Sequence, residues 1–212
     1  ENMMPPRECS HEVRYCRRGE LQIAVIHITY AREEKQIDLL DWTAELILAD
    51  GSDNLKVKIR TSFDARDIKL STAVVLPEIP RDGVIDYEIP LGRIARGKTD
   101  VYDGQLGYAD EWPALRYVSA NLDGRTVTLC NSGTPGHAID RNMIRVSLIR
   151  TPTQMCCGFG LKGAVDRSPH TFDFILSAGL TPLEEYRLGM VLNAHFPAFP
   201  VDFGEMKKAD SA

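Results

Sequence analysis

The sequence predicts an all-β fold, an antiparallel β-sandwich closed by one short C-terminal helix. Three observations carry that expectation. Segments of about six residues recur roughly every 8–12 positions and are rich in β-branched and alternating side chains. Turn residues, mostly Gly with Asp, Asn or Pro, separate them. Helical spacing occurs once, close to the C-terminal end.

The strands are expected at 21–30, 42–49, 55–61, 69–76, 84–89, 112–120, 125–130 and 144–150, with a last run at 172–176. Residues 21–30 (LQIAVIHITY) are almost continuously apolar, which predicts a strand covered on both faces with His27 packed in the core. Residues 55–61 alternate without error, placing Leu55, Val57 and Ile59 on one face and Lys56, Lys58 and Arg60 on a solvated one. Asp50-Gly51-Ser52 and Asp123-Gly124 read as hairpin turns, because glycine tolerates the positive φ such turns need. In 144–150, Ile144, Val146 and Leu148 alternate with Arg145, Ser147 and Ile149, and Thr151-Pro152 stops the ladder. Residues 93–112 have no clear period and read as a long loop. The helix starts at Thr181, with Pro182 at its first position and Glu184 completing a capping box. Leu183, Tyr186, Met190 and Asn193 follow at helical spacing, and Pro197 and Pro200 end it. Residues 1–12 read as a flexible lead-in, 13–200 as a single β-sandwich domain and 201–212 as a disordered tail. The chain opens on Glu1, not Met, which points to a fragment of something longer.

Composition narrows the function. A net charge of −5 argues against a nucleic-acid partner, which wants a basic face. No apolar run approaches the roughly 20 residues that cross a membrane. Five cysteines, an odd count without regular spacing, and no Asn-x-Ser/Thr sequon point to a reducing cytoplasm.

Patterns that carry chemistry are sparse. Cys9, His11 and Cys16 lack a fourth metal ligand at familiar spacing. No Gly-x-Ser-x-Gly elbow occurs, and no phosphate-binding glycine loop precedes a helix. Thirty acidic residues make chance carboxylate pairs inevitable, so no glycosidase dyad can be nominated. Cys156 and Cys157 default to inert thiols without a cause for a lowered pKa. Asp166 and His170 either bind a metal or brace a loop. Read residue by residue, the chain is a β-sandwich without a visible active site.

Six segments, in order, resemble the C-terminal β-region of the family 38 glycoside hydrolases, the zinc-dependent α-mannosidases. They are LILADGSDNLKVKIRTSF at 46–63 with Asp64, EIPLG at 88–92 with Arg96, LCNSGTPG at 129–136, VSLIRTP at 146–152, the Asp166 to Phe174 segment, and Asn193 with Pro197. Ser168 stands where the family pattern has glycine, Phe174 where it has tyrosine, and Asp64-Ala65 replaces an Asp-Asn pair. The resemblance implies a galactose-mutarotase-like supersandwich that packs on an N-terminal catalytic domain of the same polypeptide and closes one side of a pocket for a mannose-containing saccharide. The nucleophile and the zinc belong to that missing domain, so no cofactor is expected in this chain and the fragment alone is expected to be inactive. Arg150 matches the family's arginine that reaches the pocket; the alternative is a guanidinium tied to a loop carboxylate. A rival reading is a stand-alone carbohydrate-binding module using Trp42, Tyr102, Tyr108 and Trp112 as stacking platforms. A sugar epimerase built on His27 or His137 is a third.

Overall fold

The computed structural model describes residues 9–32, 37–66, 69–97, 111–152, 160 and 167–194. Nine strands form one large antiparallel sheet. Its order is β1 (Cys9–Arg18), β2 (Leu21–Arg32), β3 (Ile37–Ala49), β4 (Asn54–Phe63), β13 (His170–Ala178), β10 (Arg125–Asn131), β9 (Tyr117–Leu122), β6 (Val84–Ile89) and β7 (Gly92–Gly97). Four more make a small antiparallel sheet in the order β5 (Lys69–Val75), β12 (Met143–Arg150), β11 (Gly136–Asp140) and β8 (Trp112–Pro113). Among the described residues one α-helix, α1 (Pro182–Asn193), lies on the opposite side of the large sheet. The expected antiparallel sandwich with one short helix is therefore the fold observed.

The core follows from alternation. Ala44, Ile59, Phe174, Leu129, Val118 and Tyr87 project from one face of the large sheet onto Ile139, Ile144 and Val146 of the small one. A second cluster forms at one end of the sandwich, where Phe63 and Ala65 meet Ile149, flanked by Leu40, Leu70 and Phe172. The end of β4, the start of β5, the end of β12 and the start of β13 converge there, and the end of β10 lies beside them through Asn131 opposite Phe174.

Four sequence expectations need correction. The lead-in is already a strand from Cys9, because β1 pairs with β2 over ten residues and the partner strand, not local apolarity, fixes it. Strand β2 is not covered on both faces: none of its described side chains is buried, and the main core takes Ala44 of β3 but no residue of β2. Residues 112–120 are two strands, split between the two sheets. Strands β7 and β11, short and glycine-bearing, carry too little pattern to be read locally. Residues 201–212, expected to be a disordered tail, and Pro197 and Pro200 lie outside the described residues.

The helix forms as its signals predict. Thr181 Oγ1 accepts from Glu184 N–H at 3.4 Å, and the Glu184 carboxylate accepts from Thr181 N–H at 2.8 Å, closing the capping box. Its buried face differs from the expected stripe. Leu183, Tyr186 and Met190 are exposed, while Glu185 and Gly189 are buried and Leu188 and Leu192 pack on Tyr117, Cys130 and Ile175. Glu185 accepts from Ser119 Oγ, from Thr128 Oγ1 at 2.9 Å and from Arg93 Nη1 at 3.2 Å, which satisfies a carboxylate that burial would otherwise penalise. A Cβ at Gly189 would lie 3.1 Å from Arg116 Cβ, so the absent side chain is what lets the helix settle this close.

Candidate functional site

Strand β12 contains the residue that the resemblance singles out, and its geometry explains how that residue is placed. Ser147 pairs with Ser71, but Ile149 pairs with Leu70, so Leu148 is an extra residue in a β-bulge. Residues 147 and 150 are three apart and in a regular strand would point to opposite faces. The bulge returns Arg150 to the face of Ser147 and turns Ile149 into the second core cluster. The strict alternation expected for 144–150 thus ends at Ser147.

Both side chains meet one carboxylate. Glu111, just before β8, accepts from Ser147 Oγ, from Lys69 Nζ at 2.7 Å and from Arg150 Nη2 at 2.8 Å. Burial by itself would raise the Glu111 carboxyl; hydrogen bonds from Lys69 and Ser147, with the charges of Lys69 and Arg150, outweigh it and hold the group below the usual carboxylate range. Gly136 keeps room for this clamp, since a Cβ there would stand 3.3 Å from Ser147 Cβ and 3.8 Å from Glu111 Oε2. The Glu111 side chain is 12% exposed and that of Arg150 is 60% exposed. One end of the guanidinium is anchored on Glu111, and the side chain is largely exposed.

Beside the clamp, Trp112 lies partly buried against the core with Arg96 stacked 3.8 Å from its ring centroid. His137, its strand neighbour, is fully buried. His137 Nδ1 lies 2.7 Å from the Pro135 carbonyl and donates to it, and burial pushes the imidazole down to about 4, so the ring is neutral near pH 7. Below, Pro113, Ala114, Leu115, Gly133 and Pro135 join Ile89 and Pro90 in an apolar cleft of about 270 Å³. Leu91, at the tip of the β6–β7 hairpin, has φ +67° and is completely exposed.

Several quoted segments prove to be structural punctuation. Asn131 Oδ1 accepts from Thr134 N–H at 2.9 Å, and Gly133 has φ +74°, so LCNSG is a side-chain-closed turn. Asn193 Nδ2 donates to the Asn131 carbonyl at 2.9 Å, tying the helix end to that turn. Glu88 is buried and accepts from Arg116 N–H at 3.0 Å and Arg116 Nε at 2.9 Å. Asp64 pairs with Arg167 Nε at 2.8 Å, joining two segments that lie far apart in the chain.

Other candidates disperse. His27 is not in the core: its side chain is 42% exposed and its Nε2 lies 2.8 Å from Asp41. Among the described residues no group of three or more His, Cys, Asp or Glu could hold a metal ion. Cys16 is a free, exposed thiol and Cys130 a free, buried one, pushed up to about 12 chiefly by burial. Trp42 packs against the core and is not a free stacking platform. Tyr102, Tyr108, Cys156, Cys157 and Asp166 lie outside the described residues. Sequence reasoning names Arg150 and misses Glu111, Lys69 and Ser147, which no local pattern connects. The one signal is that Ser147 and Arg150 share the VSLIRTP segment.

No family profile and no curated protein matches the chain in sequence. Solved structures do match. An α-mannosidase from Enterococcus faecalis V583 superposes with a TM-score of 0.68 at 14% identity, over 85% of this chain and 23% of its own. A family 38 glycosyl hydrolase from Enterococcus faecalis gives 0.67 at 14% identity, over 86% of this chain and 24% of its own. The chain spans about a quarter of the length of these proteins, and what it shares with that quarter is the fold.

Proposed function

We propose that the chain is the C-terminal β-sandwich domain of a family 38 α-mannosidase-like glycoside hydrolase. In this reading it packs on a catalytic domain of the same polypeptide and closes one side of a mannoside pocket. The carrying observation is Arg150, a guanidinium anchored by Glu111 yet 60% exposed at the end of the sandwich where the second core cluster gathers the strand ends. The shared fold, the order of the six segments, and the exposed Leu91 beside an apolar cleft support it. A large apolar side chain held out in left-handed backbone suits a surface that another domain covers.

Arg150 would hold a sugar hydroxyl or orient an acidic neighbour through the donors that Glu111 leaves free. The nucleophile and the zinc would reside in the catalytic domain. In the full-length polypeptide, Arg150→Ala is expected to lower kcat/KM for an aryl α-mannoside on the order of 10–100-fold with little change in Tm. An unchanged kcat/KM would remove Arg150 from the pocket. Hydrolysis by the isolated 212-residue chain at a rate comparable to full-length enzymes would sink the domain reading itself. Tight binding of mannose oligosaccharides by the isolated chain would instead favour a carbohydrate-binding module.

A further inference from the structure

Strand β1 is an open edge of the large sheet. All ten of its residues pair with β2, and no strand among the described residues lies on its other side. Side chains 10–18 are all exposed, Val13 by 42% and Tyr15 by 81%. Protein sheets usually blunt such an edge by shortness, charged side chains, proline or a bulge, and of these β1 has only charges. The opposite edge, β7, is only six residues long and has glycine at both ends. β1 is ten residues long, contains no Pro or Gly and has no break in its register with β2.

Its charges also fit one particular neighbour. Glu12 and Arg14 stand on the polar face, joined by two hydrogen bonds of 2.6 and 2.8 Å, while Val13 and Tyr15 stand on the face they share with Ala24 and Ile26. Laid antiparallel against itself about a two-fold axis at Val13, β1 sets each Glu12 opposite the partner's Arg14. Val13 then meets the partner's Val13, and His11 meets the partner's Tyr15. Shifting by two in chain numbering puts like charges together, Arg14 on the partner's Arg14 in one direction and Glu12 on the partner's Glu12 in the other. A one-residue slip puts polar side chains opposite apolar ones.

We propose that a second copy of this chain pairs along β1 in that register, giving a two-fold dimer with a continuous sheet. Cross-strand Glu–Arg pairs and the Val13–Val13 contact select the register, and the open backbone groups of both edges are satisfied together. The inference stands apart from the mannosidase reading.

The test is charge exchange, followed by sedimentation equilibrium on the full chain in reductant, which keeps the exposed Cys16 from cross-linking. Wild type is expected to be dimeric at tens of micromolar. Glu12→Arg and Arg14→Glu should each weaken the dimer on the order of tenfold or more, because each places like charges opposite one another. An equimolar mixture of the two variants should restore a dimer, since the doubly basic edge of one variant then faces the doubly acidic edge of the other. Both positions are exposed, so far-UV circular dichroism should be unchanged. A monomeric wild type at about 100 micromolar, single variants that dimerise as wild type does, or a mixture that stays monomeric would each overturn the proposal.

Discussion

β12 and β2 look alike as sequences and differ as structure. MIRVSLIR and LQIAVIHITYAR are both rich in Ile and Val, yet Ile144 and Val146 are almost fully buried whereas no described side chain of β2 is. The difference lies in what is opposite. β12 sits between the large sheet and the Glu111 clamp, while β2 lies beyond β3 and contributes no residue to the main core. An apolar pattern states what a strand can bury; a facing layer decides whether it does.

Truncating an apolar side chain in each region is the sharpest way to break this contrast. Ile144→Ala should destabilise by about 4 kcal/mol, as for other fully buried positions, and Ile26→Ala by about 1 kcal/mol or less. Urea denaturation at matched concentration measures both. Equal losses would mean that β2 is as well covered as the core.

Acid titration probes the covered half alone. With His137 held neutral, at about 4 against an ordinary 6.5, the unfolded chain binds a proton that the folded chain refuses between those values. Stability conferred by the neutral ring is complete above pH 6.5 and is lost as pH falls, by about 3 kcal/mol at pH 4. A His137→Gln variant that remains folded should lose the slope between about pH 6.5 and 4.5. An unchanged slope would show that His137 is not the group responsible.

A smaller effect than at Ile144 or His137 is expected at the clamp. Glu111→Gln leaves Lys69 and Arg150 without their shared counter-charge and should cost about 1–2 kcal/mol at pH 7. The Glu111 carboxyl is held below its ordinary value, so the clamp is fully formed above about pH 4.5 and is lost as pH falls through the folded value. The variant and wild type should therefore converge once pH has fallen below the folded value, where wild type too has lost the charge. A deficit that persists there would assign the loss to shape and not to charge.

Legibility follows the range of the interaction. The alternation over 84–89 marks the true ends of β6, and the hairpin at Asp123-Gly124 shows both residues at positive φ, 43° and 88°. The capping box expected at Thr181 and Glu184 is also present. Each of these is decided within four or five residues. His27 is misread because a histidine in an apolar run reveals nothing of the absent layer above it. The face of α1 is misread because a carboxylate at 185 is buried only when Ser119, Thr128 and Arg93 of other strands come to meet it.

By itself the sequence determined the strands with strong alternation, the turns and the helix start. Alternation, capping and turn chemistry act between near neighbours and leave a local trace. Only the tertiary structure decided which strands acquire a covering sheet, where the bulge at Leu148 turns Arg150, and that Glu111 waits for it. Those outcomes depend on residues 39 and 42 positions away arriving at one carboxylate, and no local pattern encodes that meeting.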